Sequence, residues 1–254
     1  MQTTRASFLL PLAGLVAASL LVGACGSSSS PGETVDPSIV RPTSIGGTWL
    51  TNDTRDGGAL DFIGTDEVAP FFGDGSLEIT TTDSTAGGSG AAKAQLFNYT
   101  YASQGQPDAG TRLDEITKLG YWARRDGTST ASAAQTVSLN IEVDYVGDGS
   151  SYTTLVFEPA YNGYQQSMAD DVWQYWDAFD GGNAIWWSSR AIPGVCAGSC
   201  FVTWSDILAA NPDARIVWGL GFNCGSGWAG EFRGLVDGLT VGVSGNEITY
   251  DFEP

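Results

Sequence analysis

Polar and apolar residues alternate most regularly between Val137 and Tyr145. Val137, Leu139, Ile141, Val143 and Tyr145 hold one parity, and Ser138, Asn140, Glu142 and Asp144 hold the other. Successive side chains on a strand point to opposite faces, so this run predicts a strand with one apolar and one polar face. Gly147-Asp148-Gly149-Ser150 then supplies turn residues and Tyr152 to Phe157 runs back, the pattern of a hairpin. Gly75 to Thr81 places Leu77 and Ile79 on one face in the same way. Shorter runs over 94–101, 116–122, 172–179, 185–188, 215–222, 235–243 and 248–252 predict further strands, the last two joined at Ser244-Gly245-Asn246. One segment reads as helix. Thr203-Trp-Ser-Asp206 has capping-box spacing, Ile207 to Ala210 continue it, and Asn211-Pro212 stop it.

Many short strands, one short helix and no alternation of strand and helix predict an all-β domain. The expected architecture is a two-sheet antiparallel β-sandwich, a jelly roll, over residues 48–254. An immunoglobulin-like array is the alternative, but this region is about twice the ~100 residues such a domain uses. Residues 31–47 carry Pro31, Pro37, Pro42 and Gly46-Gly47 with few apolar side chains, which reads as linker, and order is expected from Trp49.

Strand parity also sorts the aromatic residues. Trp173 and Tyr175 share one face of their run, and Gln174 and Trp176 share the other. Trp186 and Trp187 are adjacent, so on a strand they point to opposite faces. One member of each set is expected to leave the core, where its ring could stack on a sugar. Asp177, Asp180, Asn183 and Arg190 lie nearby to bind hydroxyls. The competing expectation is that both sheets are covered and the tryptophans fill the interior.

Composition narrows the chemistry. Glycine numbers 34, Lys plus Arg only 11, and the formal charge is −18. Such a chain repels nucleic acid and anionic headgroups, and it suits a neutral glycan, a cationic partner or a divalent ion. There is no histidine. Ser-His-Asp and Cys-His catalysis, histidine-ligated zinc and histidine pH switching are therefore excluded.

The first residues form a further pattern. Arg5 precedes an apolar run, Phe8 to Val22, that ends in Val22-Gly23-Ala24-Cys25. The run is short for a membrane span, which needs about 20 apolar residues. It resembles a bacterial lipoprotein signal with its lipobox. The resemblance implies cleavage after residue 24, lipidation of Cys25, and export to the outer face of a bacterial membrane, held by lipid alone. Gly26 to Gly32 would be the start of a flexible tether, with the linker running over 25–47. With Cys25 so used, Cys196, Cys200 and Cys224 remain in an oxidising compartment. Cys196–Cys200 is the expected local disulfide and Cys200–Cys224 its rival.

From Trp49 onward the chain resembles a broad group of secreted bacterial jelly-roll domains similar to carbohydrate-binding modules. The matching residues are Thr54-Arg-Asp-Gly-Gly58, Gly73-Asp-Gly-Ser-Leu-Glu78, Leu119-Gly-Tyr-Trp122, Phe157-Glu-Pro-Ala-Tyr161, Trp173-Gln-Tyr-Trp-Asp177 and Tyr250-Asp-Phe-Glu-Pro254. The resemblance implies a glycan-binding sandwich and fixes no catalytic residue. Such modules often hold one structural calcium, whose ligands the resemblance leaves open; Asp74, Asp148 and Asp180 stand in oxygen-rich loops and are the candidates. Ile141-Glu-Val-Asp-Tyr145 partly resembles the Glu-x-Asp-x-x-Glu strand of laminarinase-like glycoside hydrolases. Glu142 and Asp144 are thus a candidate catalytic pair, but Gly147 stands where the third carboxylate belongs. The expected function is non-catalytic binding of a carbohydrate or cell-surface polymer. The alternatives are an envelope protein scaffold and a hydrolase or lyase built on that pair.

Overall fold

The computed structural model describes residues 37–64, 69–83, 92–106 and 109–254. The proposed leader, Cys25 and the start of the tether lie outside the described residues. In chain order the strands are β1 (Ser38–Val40), β2 (Trp49–Leu50), β3 (Gly58–Gly64), β4 (Gly75–Thr81), β5 (Lys93–Asn98), β6 (Ile116–Arg125), β7 (Ser138–Asp144), β8 (Thr153–Phe157), β9 (Gln174–Asp177), β10 (Ile185–Ser188), β11 (Val202–Thr203), β12 (Arg215–Gly225), β13 (Phe232–Val243) and β14 (Asn246–Phe252). Among the described residues there is one α-helix, α1, spanning Trp204–Ala210.

These strands make two seven-stranded sheets, so the domain is an all-β two-sheet sandwich. The first is built around β13. Its leading half pairs with β4 and its trailing half with β14 along one edge, while β6 runs along the other. β3 and β1 complete that edge, and β9 lies beyond β6. The second sheet has the order β11-β10-β8-β7-β12-β5-β2. Every named strand pair is antiparallel except β1 with β14. That parallel strand lies inside the segment read as linker. Only Val40 of its residues is buried, so hydrophobic pattern leaves it unmarked.

The core is the layer between the sheets. Leu139, Ile141 and Val143 of β7 meet Leu119 and Tyr121 of β6 and Val236, Leu239 and Val241 of β13 within one cluster. Aromatic rings cross the layer: Tyr121 lies 5.4 Å from Phe222, and Phe222 lies 5.7 Å from Phe252. The Tyr121 hydroxyl donates to the Val137 carbonyl at 2.8 Å, which satisfies its one buried polar atom. Each such large apolar side chain stabilises the fold by about 1.5–3 kcal/mol on burial.

Helix α1 starts as its sequence predicts. Thr203 accepts from the Asp206 N–H at 3.1 Å and the Asp206 carboxylate faces the Thr203 N–H, a reciprocal cap. Gly238, at φ +59°, interrupts β13 beside a register shift against β6, and the Phe72 ring lies where a Cβ would be. Asp237, fully buried beside it, accepts from the N–H groups of Gly238 and Phe252 through Oδ1, while Oδ2 has no partner among the described residues. Cys196 and Cys200 are joined in a disulfide, and Cys224 is a buried free thiol. Among the described residues no helix is long and apolar enough to cross a membrane.

Candidate functional site

The polar face of β7 determines where a site can form. Ser138, Asn140 and Glu142 point away from the core, and the register carries that face across the second sheet. Asn140 lies opposite Val156 of β8 and Gly221 of β12, and Trp187 of β10 lies beyond Val156. Glu142 lies opposite Thr154 and Gly219. Ser138 lies opposite Asn223, which in turn faces Gln95. The glycines keep this floor low. At Gly221 a Cβ would come within 2.1 Å of the Leu96 carbonyl oxygen, so the strands approach only without one.

Side chains from flanking segments raise walls around this floor. Tyr152, Tyr161 and Trp228 stand at its margins, with Asp53 and Lys93 at one end. The result is a cleft of about 820 Å³ lined mostly by polar groups. A second hollow of about 680 Å³ adjoins it, and Glu142 and Tyr152 belong to both. Trp218 lines this second hollow. It is placed there by a bulge in β12 between Ile216 and Gly219, and bulges commonly re-aim side chains in this way.

Two carboxylates dominate the cleft. Burial pushes Glu142 above the usual carboxylate range, against the pull of a hydrogen bond from the Tyr152 hydroxyl (2.7 Å) and the charge of Lys93. Burial raises Glu158 too, partly offset by the Trp187 indole N–H, which donates to Oε2 at 3.0 Å. Tyr152 is pushed up to about 12 by burial and then by its bond to Glu142. It therefore serves as a neutral donor. Glu142 is level with Thr154, and Glu158 lies four residues further along, so their backbones are roughly 13 Å apart.

Asp144 is not the partner of Glu142 that the sequence suggested. It is buried and its carboxylate is consumed by the β7–β8 turn, accepting from the N–H groups of Val146 and Gly149 and from the Ser151 hydroxyl. Burial opposes its ionisation, but these donors outweigh it and hold Asp144 below its ordinary value. The candidate catalytic pair is therefore one cleft residue and one turn-forming residue.

The aromatic candidates are likewise divided. Trp176 and Trp186 are core residues, 1% and 0% exposed, and cannot stack on a ligand. The Trp186 indole N–H bonds the Ala178 carbonyl inside the protein at 3.0 Å. Tyr175 is half-buried against Trp122 at 5.7 Å on the outer face of the first sheet, away from the cleft, and Trp173 precedes it outside the strand. Asp177 caps its own turn by accepting from the N–H groups of Phe179 and Asp180. Asn183 donates to the Asp180 carbonyl. Of that set, only Trp187 lines the cleft; Arg190 lies beside it, its guanidinium 5.1 Å from the Tyr152 ring centre.

The calcium candidates are not brought together either. Asp74 lies before β4, Asp148 accepts from its neighbour Ser150, and Asp180 accepts from the Tyr164 hydroxyl. Among the described residues no three acidic or cysteine side chains are placed to hold a metal ion. The sequence reading missed Glu158, Tyr152, Gln95 and Trp228 as cleft residues. Only the parity of Asn140 and Glu142 signalled the face they share.

Comparison with known protein families, with curated proteins and with solved structures gives no match for this chain. The fold and the site alone define the class: a two-sheet β-sandwich with an open polar cleft across one sheet.

Proposed function

We propose that this chain is an exported, lipid-anchored surface protein that binds a carbohydrate or related polymer in the cleft, without chemistry on it. The observation that carries the reading is the cleft itself. It is an open trough over the sheet, with the Trp187 ring at one side and the amides of Asn140, Gln95 and Asn223, mostly buried and each holding a hydrogen bond within the protein, in its floor. A ring pairs with the apolar face of a sugar, and amides pair with its hydroxyls. The commitment of Asp144 to a turn argues against a hydrolase built on the Glu142 and Asp144 pair.

Tryptophan fluorescence titration against a panel of soluble polysaccharides tests the proposal. A saturable shift with one sugar class is expected, weakened at least ten-fold in Trp187→Ala. Absence of any shift across the panel would sink the reading. It would favour a protein scaffold, for which the exposed Tyr161–Phe201 pair, stacked at 4.0 Å, supplies an apolar contact.

A further inference from the structure

The charge inside the cleft is lopsided. Its lining holds the carboxylates of Asp53, Glu142 and Glu158 and a single cation, Lys93. The Lys93 ammonium pairs with Asp53 at 2.6 Å, Asp53 also pairs with Arg55, and Lys93 offsets part of the Glu142 charge. Glu142 and Glu158 remain, each receiving one hydrogen bond from a neutral donor among the described residues. A carboxylate can accept about four, so most of their acceptor capacity is left for a ligand. Two further cations lie outside the lining: Arg55, which pairs with Asp53, and Arg190, which lies over the Tyr152 ring.

We infer, resting on the binding reading above, that the ligand is a polymer of amino sugars carrying free, protonated amines. An ammonium supplies what each carboxylate lacks, a positive charge and up to three donors, at a site where partial burial strengthens the attraction relative to water. Burial of both carboxyls points the same way: each is costly to ionise alone and relieved by a cation. Trp187 and Glu158 act as one unit. The indole N–H is tied to the carboxylate, so the ring offers its face to the sugar while the charge waits at its rim. The net charge of −18 gathers cations and turns away polyuronates. The ring and the floor amides favour a sugar chain over a basic peptide.

Calorimetry on the full chain tests this with glucosamine oligomers, their N-acetylated counterparts of equal length, neutral β-glucan oligomers and oligolysine. The free-amine oligomers should bind at least ten-fold more tightly than the acetylated ones. Glu142→Gln and Glu158→Gln should each weaken the free-amine ligand about ten-fold, near 1.4 kcal/mol, and weaken the acetylated ligand by less. Glutamine keeps the acceptor oxygen for Tyr152 or Trp187, and thermal melts of both variants check the fold. Equal affinity for free-amine and acetylated oligomers, or indifference to both substitutions, overturns the amine inference while glycan binding stands. Oligolysine binding as tightly as a free-amine oligomer of equal charge overturns it in favour of a basic peptide. No binding of any sugar oligomer overturns both readings.

Discussion

At the scale of single residues, Trp186 and Trp187 show how parity divides chemistry. The two neighbours sit on one strand, one sealed in the core and one in the cleft wall. Their truncations should therefore behave oppositely. Trp186→Ala removes a fully buried side chain and leaves the Ala178 carbonyl without its donor, so it should cost about 3–5 kcal/mol. Trp187→Ala should cost about 1 kcal/mol, chiefly the bond to Glu158, and act on binding instead. Denaturant melts of the two variants check this; equal stability losses would mean that the cleft ring is structural.

At the scale of elements, the β7–β8 hairpin and α1 are each closed by a polar side chain. Asp144 gathers the turn donors of its hairpin, and Thr203 with Asp206 closes the first turn of α1. Thr203→Ala should destabilise by about 1 kcal/mol, the usual worth of such a cap. Thermal unfolding measures it, and no loss would mean that packing of Trp204 and Ile207 holds α1 in place by itself. Asp144 carries a wider lesson. Its alternation with Glu142 is true of the strand, but its last position on β7 puts it within reach of turn N–H groups. Position along the element, as well as face, decided its role.

For the whole molecule, buried acids set the pH dependence. Asp237 is pushed up to about 8, first by burial and further by the nearby Asp251 and Glu253. Burial and a hydrogen bond with Glu253 also raise Asp251. An acid with a raised folded-state pKa binds more protons when native than when unfolded, so stability falls as pH rises from about 4 to 8. Asp126 has the opposite sign. Although burial opposes ionisation, Thr128 and Arg233 lower it to about 2, and its contribution is lost as pH falls below about 4. The melting temperature should therefore be higher at pH 5 than at pH 8. Asp237→Asn should flatten that slope; an unchanged slope would assign it to repulsion across the acidic surface instead.

The sequence by itself determined everything that depends on neighbours along the chain. Period-two alternation identified β4 and β7 and the opposite facing of Trp186 and Trp187, and cap spacing identified α1. The all-β sandwich follows from many such short runs. What the tertiary structure decided depends on register between distant strands. Alternation says that two faces exist, but only pairing with β8 and β12 makes the Asn140 face a cleft, and only pairing of β9 with β6 turns Tyr175 away from it. Glu158 enters beside Trp187 because β8 and β10 are neighbours, and β1 is a strand because β14 offers it an edge. Those contacts come from loop closure and sheet packing, which leave no periodic mark on the residues they join.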